Sequence, residues 1–199
     1  MKHGLLFASI EKHVALSDDD RAKLTEAFQM RRVKKGQFLV HEGAVNKNLI
    51  FITDGSVVTY FVDLNGHEHV IQFGVEGWWI GDFQSYTFQQ PATCNVEALE
   101  DCAVLECGYE KAQRLYDEVP RFERYHRIVT QYGYAAFQQR VLQNLSMNAE
   151  DRYLAFHKKY SKLELRFPQK IIASYLGMTP EFYSKLKKKL AGQDKLRFQ

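Results

Sequence analysis

The C-terminal stretch from Gln169 to Leu190 has the apolar spacing of two short helices that pack against each other. Its apolar residues fit two helices, divided by a turn at Gly177, far better than they fit one continuous helix. These apolar positions are Ile172, Leu176, Met178, Tyr183 and Leu186. The spacing predicts a helix-turn-helix motif.

Local signals support both the turn and the start of the second helix. Ala173 lies four residues before Gly177, where a small side chain lets the helices approach and glycine can adopt the left-handed turn conformation. Thr179 can cap free backbone N–H groups, and the fixed φ of Pro180 suits the first helical position. The second helix is therefore expected to run from Pro180 to about Leu190.

The predicted second helix presents a basic face that a groove of DNA could receive. The candidate DNA-binding residues are Thr179, Pro180, Glu181, Ser184, Lys185, Lys187 and Lys188. The outward face carries Ser184, Lys185 and Lys188, which suits contact with base edges or nearby phosphates. At its margins lie Lys187 and Lys189, where phosphate contact is expected. On this stretch alone, a helical hairpin whose lysines are a solvated surface stays an alternative.

Between Arg31 and about Gly108 the pattern changes to short strands. The segments rich in β-branched and aromatic residues are QFLVH, NLIFIT, SVVTYFVD, HEHVIQFG, CNVEAL and AVLEC, and turn signals separate them. The clearest hairpin signal is Asn65-Gly66, which lies between two alternating runs. Strands at such regular spacing, with no helices between them, predict an antiparallel roll or barrel.

Helical periodicity is expected on both sides of the strands. Residues 1–30 show helical spacing, with an acidic, cap-rich start at Ser17. A long helix is predicted from about Arg121 to Leu145, and Asn148 opens a further helix. An extended LELRF segment is expected before the helix-turn-helix, and the final AGQDKLRFQ leaves room for one β-strand of a wing.

The helix after Pro120 carries an apolar seam with alternating steps of three and four residues, which suits a coiled-coil partner. The seam consists of Phe122, Tyr125, Val129, Tyr132 and Ala136. We therefore expect this seam to form the interface of a homodimer. The alternative is a helix packed wholly inside its own domain.

Charge is divided unevenly along the chain of 199 residues, although the net charge is only +3. Residues 1–150 hold 15 Lys and Arg against 20 Asp and Glu, whereas the remainder holds 12 against 4. The basic character thus belongs to the segment with the predicted helix-turn-helix, as a phosphate-binding surface requires. An acidic partner such as double-stranded DNA is implied.

Composition argues against several other classes of protein. No segment approaches the ~18 apolar residues of a membrane span, and the N-terminus lacks the features of a secretory leader. The three cysteines, at positions 94, 102 and 107, match no zinc or iron–sulfur spacing. No metal or cofactor is expected, and the cytoplasm is the expected location.

In the order of its parts the chain resembles the catabolite-activator/FNR (CRP/FNR) family of bacterial transcription regulators. The matching segments are VKKGQFLVHEG, FITDGSV, the Asn65-Gly66 hairpin, WIGD and IASYLGMTPE. The resemblance implies an α+β fold with an N-terminal antiparallel β-roll of the cyclic-nucleotide-binding jelly-roll type. A long dimerisation helix and a C-terminal helix-turn-helix domain with a short or incomplete wing would follow. The expected boundaries are 1–120, 121–147 and 148–199.

The same resemblance implies a function. A member of this family is expected to act as a homodimer that binds a near-palindromic DNA site, with RNA polymerase left open as a further partner. Neither enzymatic activity nor a membrane partner is expected.

The resemblance also marks an effector region, from which this sequence departs. In members that bind cyclic AMP, an arginine-serine pair holds the phosphate, whereas this chain has Ala92-Thr93 at that place. Gly81-Asp82 stand at the preceding glycine-glutamate pair, and Phe137-Gln138 stand where two small hydroxyl residues meet the purine. Cyclic AMP is therefore not the expected ligand, and the existence of another effector stays open.

Two further expectations concern sensing. Aromatic residues near the effector region are expected to fill the cavity as core, with an apolar effector site as the alternative; they are Trp78, Trp79, Tyr86, Phe88 and Phe137. Iron–sulfur sensing of the FNR type would need an N-terminal cysteine cluster, and no cysteine precedes Cys94.

Two other function classes are possible for a β-roll with these residues. A metal-dependent cupin-like enzyme could use His67 and His69 on one strand face, but position 73 is phenylalanine and no histidine occurs between Val70 and His126. The histidine pair is instead expected on the exposed side of the hairpin. An interaction module without specific DNA binding is the remaining alternative.

Overall fold

The computed structural model describes residues 3–196, with side chains described through position 190. The chain divides into two compact units. The first unit holds residues 1–67 and 71–133, and the second holds residues 68–70 and 134–199. The division falls inside one long helix.

Between residues 3 and 133, helices at both ends flank eight short strands, one of which has its first three residues, 68–70, in the second unit. The helices are α1 (Gly4–Glu11), α2 (Asp18–Ala27), α3 (Phe83–Phe88), α4 (Tyr109–Glu118) and the first part of α5 (Pro120–Ser146). The strands are β1 (Gln29–Val33), β2 (Phe38–Val40), β3 (Asn48–Asp54), β4 (Val57–Val62), β5 (Glu68–Gly74), β6 (Trp79–Ile80), β7 (Asn95–Ala98) and β8 (Cys102–Gly108). The sequence pattern predicted α5 and six of these strands; it did not predict α3, α4, β6 or β1, whose first two residues fall in the region expected to be helical.

The strands form two four-stranded sheets, in the orders β1-β8-β3-β6 and β2-β7-β4-β5. Strand β8 pairs antiparallel with β1 and β3, and β7 pairs antiparallel with β2 and β4. The predicted antiparallel roll is thus confirmed. Val33, Ile52 and Val104 of the first sheet share one buried apolar core with Val57 and Val96 of the second.

The Asn65-Gly66 turn joins β4 to β5, as the sequence predicted. Gly66 has a φ of 82°, a left-handed value that glycine adopts without steric penalty. Asp63 fixes the turn, because its Oδ1 accepts hydrogen bonds from the N–H groups of Asn65 at 2.8 Å and His67 at 3.0 Å.

A second apolar core lies between the helices and the sheet that contains β3 and β8. Leu6 of α1, Leu24 of α2 and Phe51 of β3 are fully buried in it. The start of α2 is fixed by a capping box, in which Ser17 and Asp20 each accept a hydrogen bond from the other's backbone N–H. The helical region expected over residues 1–30 is therefore two helices.

Beyond α5, the second unit contains α6 (Ala149–Glu164), α7 (Gln169–Tyr175) and α8 (Pro180–Leu196). Asn148 caps α6 as predicted, since its Oδ1 accepts a hydrogen bond from the Asp151 N–H at 3.0 Å. The LELRF segment is not extended: α6 continues through Glu164 and a turn follows. Between β8 and residue 196 the chain forms no strand. Helix α8 occupies most of the expected wing segment, and the last three wing positions lie outside the described residues.

Candidate nucleic-acid interface and effector region

The turn between α7 and α8 has the geometry that its sequence predicts. Gly177 adopts a φ of 67°, a left-handed value that is strained for an L side chain. The Ala173 carbonyl accepts hydrogen bonds from the Leu176 N–H at 3.1 Å and the Met178 N–H at 2.9 Å, which closes the C-terminal turn of α7. Thr179 Oγ1 accepts a hydrogen bond from the Phe182 N–H at 3.2 Å. The predicted cap of α8 is confirmed.

Apolar side chains of both helices are buried as the helix-turn-helix pattern requires. Ile172 and Tyr183 are fully buried, Leu176 and Leu186 are 5% and 6% exposed, and Met178 is half-buried. Burying an apolar side chain of this size stabilises a fold by roughly 1.5–3 kcal/mol. One side of α8 is therefore fixed against the rest of its unit.

The opposite side of α8 is open. The candidate contact positions there are Thr179, Pro180, Glu181, Lys185 and Lys188, which are exposed, and Ser184, which is half-buried; all except Pro180 carry polar side chains. Hydroxyl, carboxylate and ammonium groups are the ones that bind base edges and phosphates in DNA. The structure thus brings together most of the residues that the sequence singled out.

Phe182 also lies on the surface of α8, and sequence reasoning missed it. Its side chain is 48% exposed although it is aromatic. Apolar side chains can contact the thymine methyl group in the major groove, so Phe182 is a further candidate contact. Periodicity gave no signal for this, because Phe182 lies four residues before the buried Leu186 and would be assigned to the same buried side.

The two lysines expected at phosphates are both paired within the protein. Lys187 Nζ lies 2.8 Å from Glu164 Oε1, and Lys189 Nζ lies 2.6 Å from Glu150 Oε2. The Glu164 side chain is only 3% exposed, whereas that of Glu150 is 35% exposed. Exposed ion pairs contribute little to stability. The pair between Lys187 and the buried Glu164 is therefore expected to matter more for the stability of the second unit.

Glu164 is ionised despite its burial. Burial by itself raises the pKa of this carboxyl, but hydrogen bonds and charge from Lys187, His157 and Tyr183 outweigh it and lower the pKa of Glu164 to about 2. Burial and the neighbouring carboxylate raise the pKa of Tyr153 to about 12. At neutral pH a carboxylate is therefore surrounded by neutral phenols and an ammonium group.

Part of the predicted dimer seam lies in the core of the first unit. Phe122 and Tyr125 are fully buried, and the Tyr125 hydroxyl accepts a hydrogen bond from Trp79 Nε1 at 3.0 Å. Val129 is partly buried against the same core. The periodicity identified an apolar side of α5, but the same chain covers that side at these three positions.

The C-terminal part of α5 exposes a different apolar stripe. We call it the α5 stripe; it consists of Tyr134, Phe137, Val141 and Leu145, which are 69%, 50%, 39% and 81% exposed. Steps of three and four residues place them on one side of the helix. Another side of α5 packs within the second unit, where the Arg140 guanidinium lies 4.5 Å from the ring centre of Tyr175. Tyr132 and Ala136 of the predicted seam are exposed as well.

In the expected effector region, the carboxylate of Asp82 is buried and hydrogen-bonded. Asp82 is 5% exposed, and its Oδ1 caps α3 by accepting a hydrogen bond from the Ser85 N–H at 2.9 Å. Its Oδ2 accepts hydrogen bonds from the N–H groups of Thr93 at 2.9 Å and Cys94 at 3.1 Å. Converging N–H groups form an anion-binding site, and here the anion is a side chain of the same protein.

Two further residues of the expected effector region, Gly81 and Ala92, are close to Asp82 and Thr93 in sequence, and Gly81 has no room for a side chain. A side chain at Gly81, where φ is 155°, would place its Cβ 2.8 Å from Asn46 Nδ2. Asn46 Nδ2 in turn donates a hydrogen bond to the Asp82 carbonyl at 3.2 Å. The Ala92 methyl group is 4% exposed and offers no charge to a phosphate.

The other residues expected at the effector region do not gather there. Trp79 and Tyr86 belong to the helix-covered core, and Phe88 is 65% exposed. Phe137 and Gln138 belong to the second unit and are exposed there. Trp78 is half-buried, with its ring centre 6.3 Å from that of Phe73. The expectation that these aromatic residues form core therefore holds for Trp79 and Tyr86 and fails for Phe88.

The two histidines considered as metal ligands belong to no cluster of metal-binding side chains among the described residues. His67 and His69 are exposed, as predicted, and His67 Nδ1 lies 3.5 Å from Asp63 Oδ1. Among the side chains described, those of residues 3–190, no three His, Cys, Asp or Glu are placed to hold a metal ion together. Within residues 3–196 no helix is long and apolar enough to cross a membrane.

Comparison with known proteins agrees with this geometry. Residues 30–119 match the family described as the cyclic nucleotide-binding domain. The chain is 25% identical over 183 residues to the anaerobic regulatory protein of Pasteurella multocida, covering 86% of this chain and 66% of that protein. It is 26% identical over 183 residues to the fumarate and nitrate reduction regulatory protein of Vibrio cholerae, covering 86% and 72%. The chain thus spans about two thirds of the length of these relatives.

A solved structure shows the same fold. The c-di-GMP-responsive global regulator CLP of Xanthomonas campestris superposes with a TM-score of 0.74 at 16% identity, covering 89% of this chain and 93% of that one. At this identity the likeness concerns the fold. The two relatives and this structural neighbour are regulators rather than enzymes.

Proposed function

We propose that this chain, which is a regulator of the CRP/FNR type, binds duplex DNA as a homodimer through the open side of α8. The observation that carries the proposal is the α7–Gly177–α8 arrangement. It fixes one side of α8 by burial and leaves the opposite side exposed and basic. A helix presented in this way fits the major groove of B-DNA.

The open side of α8 offers three kinds of contact. Lys185 and Lys188 are exposed cations, suited to phosphates or to the O6 and N7 acceptors of guanine. Glu181 can accept a hydrogen bond from the amine of cytosine, and Ser184 can donate or accept at a base edge. Thr179 lies at the start of the helix, where recognition helices contact base edges.

A homodimer would place two copies of α8 on one duplex. We assign its interface to the α5 stripe, because Phe122 and Tyr125 are already buried by their own unit. Two recognition helices in successive major grooves contact half-sites whose centres lie ~34 Å apart. The DNA site is therefore expected to be near-palindromic.

The dimer is tested by placing a charge in the α5 stripe. Val141→Glu should convert the protein from dimer to monomer at micromolar concentration, as measured by sedimentation. Gln131→Glu changes an exposed residue of the same helix outside the stripe and should leave the dimer intact. A wild-type protein that sediments as a monomer would remove the dimer from the proposal.

Cyclic AMP is not the effector in this proposal. The N–H groups of Thr93 and Cys94 are occupied by Asp82, and a phosphate brought there would meet a carboxylate. Ala92 supplies no cation to offset the desolvation of the phosphate. Both features disfavour a cyclic nucleotide bound through its phosphate.

DNA binding itself is tested with a random-sequence duplex at low salt. The wild-type chain should bind with an affinity that falls steeply as salt rises, because lysine contacts displace counterions. Lys185→Ala should weaken binding several-fold. Lys158→Ala, which removes an exposed lysine of α6 in the same unit, is the matched control and should change affinity less than twofold. Absence of binding by the wild-type chain would contradict the proposal.

A further inference from the structure

Glu164 is a buried carboxylate that the proposed DNA contact does not use. It is the last residue of α6, and its side chain is 3% exposed. Two groups of α8 reach its Oε1: Lys187 Nζ at 2.8 Å and the Tyr183 hydroxyl at 2.7 Å. Two groups of α6 complete its surroundings: His157 Nδ1 at 2.6 Å from Oε2 and the Tyr153 hydroxyl at 3.3 Å from Oε1.

A carboxylate at this depth requires compensation for the hydration that it loses. Hydrogen bonds from the phenols supply part of it, and a nearby cation supplies more. Lys187 provides a cation whose side chain is 32% exposed, and its Nζ also lies 5.6 Å from the ring centre of Tyr183. Lys187 is thus held by two contacts inside the second unit.

Position around the helix separates Lys187 from the other lysines of α8. At about 100° per residue, Lys185 and Lys188 lie about 60° apart, whereas Lys187 lies at least about 100° from both. Lys185 and Lys188 are exposed, and Lys187 is half-buried. Lys187 therefore points away from the side of α8 that faces the proposed groove.

We infer that Lys187 is the internal counter-ion of Glu164 and that Glu164 is a positioning residue that anchors α8 to α6. Lys185 and Lys188 then supply phosphate contacts, and Lys187 does not. The division of roles rests on the proposed function, but the ion pair is a property of the protein without DNA. The two parts can therefore be tested separately.

The first experiment measures how affinity for a random-sequence duplex depends on salt. Each lost phosphate contact reduces the slope of log affinity against log salt by about 0.9 per subunit. Lys185→Met and Lys188→Met should each show this reduction, whereas Lys187→Met should keep the wild-type slope. An equal reduction for Lys187→Met and Lys185→Met would overturn the inference.

The second experiment measures thermal unfolding of the full chain without DNA. Lys187→Met leaves Glu164 buried without its ammonium partner, so the melting temperature should fall by about 5 °C or more. Lys185→Met is the matched control and should melt close to the wild type. The double variant Glu164→Gln with Lys187→Met removes both charges and should recover most of the loss. A Lys187→Met protein as stable as Lys185→Met would overturn the inference.

The two failures are distinguishable. If the wild-type chain does not bind duplex DNA at low salt, the proposed function fails, and the melting comparison still decides whether Lys187 is the counter-ion of Glu164. If Lys187→Met does not fold, the double variant supplies the salt slope. A wild-type slope in the double variant supports the inference, and a reduced slope contradicts it.

Discussion

Asp82 and Glu164 are both buried carboxylates, 5% and 6% exposed, but the groups around them differ. Asp82 accepts hydrogen bonds from backbone N–H groups at both ends of the segment between β6 and β7. Glu164 accepts hydrogen bonds from two tyrosine hydroxyls and pairs with an ammonium group of another helix. The first carboxylate closes a loop, whereas the second joins two helices.

The two carboxylates therefore have different consequences for the effector region and for α8. An anion site that holds Asp82 has its N–H groups already satisfied, so the roll is stable without a bound phosphate. Glu164 instead connects α8 to the rest of its unit, so its charge bears on how α8 is presented. Changes at Asp82 should therefore affect the first unit, and changes at Glu164 should affect the second.

The largest effect is expected for Glu164→Ala, which leaves Lys187 and two tyrosine hydroxyls without their acceptor. Removing one partner of a buried ion pair typically destabilises by about 3–5 kcal/mol. Helical circular dichroism during urea unfolding should show this loss. Both tryptophans, Trp78 and Trp79, lie in the first unit, so tryptophan fluorescence should change little. Equal shifts of both signals would break the contrast between the units.

Acid should weaken the same helical unit. The pKa of Glu164 is about 2 in the folded protein, below its ordinary value of 4.5, so its ionised form stabilises the fold. That stabilisation is fully present above about pH 4.5 and is lost as pH falls towards 2, by up to about 3 kcal/mol. Urea unfolding followed by circular dichroism between pH 6 and pH 3 measures it. Glu164→Gln should flatten this part of the pH profile; an unchanged profile would refute the assignment.

A smaller loss is expected for Asp82→Ala, of about 2 kcal/mol. The change removes the cap of α3 and leaves the N–H groups of Thr93 and Cys94 without an acceptor. Tryptophan fluorescence during urea unfolding should report it. Asp82→Asn, which keeps an oxygen at the cap, should lose less. An Asp82→Ala protein as stable as the wild type would contradict the role of Asp82 as the acceptor for these N–H groups.

The smallest expected effect is that of cyclic AMP on the wild-type chain. At millimolar concentration it should shift the melting temperature by less than about 1 °C, because Asp82 already occupies the N–H groups that a phosphate would use. A ligand that did bind, at 100 times its dissociation constant, would stabilise the protein by about 2.7 kcal/mol. A saturable shift of several degrees would show that the Asp82 arrangement does not exclude the nucleotide.

The sequence predicted the helix-turn-helix accurately because its signals are local. The turn at Gly177, the cap by Thr179 and the burial of Tyr183 each depend on a few neighbouring residues. Six of the eight strands between residues 29 and 108 and the hairpin at Asn65-Gly66 followed for the same reason, whereas β1 and the two-residue β6 were missed. Helix α3 was missed because its six residues, FQSYTF, are too few and too aromatic to show helical periodicity.

Contacts between distant positions could not be predicted in this way. Glu164 was read as part of an extended segment, so its pairing with Lys187, 23 residues later, gave no signal in the sequence. Periodicity marked the apolar side of α5 at Phe122 and Tyr125, but it cannot tell whether the same chain or a second copy covers that side. The structure resolves this for both residues by burying them in the first unit.

The central claim is that α8 reads DNA in a two-fold symmetric dimer, and selection from a random duplex library tests it most directly. Such a dimer should enrich near-palindromic sequences whose half-site centres lie about one helical turn, ~34 Å, apart. Enrichment of isolated half-sites would contradict the dimer. A library that shows no enrichment at all would contradict sequence-specific recognition by α8.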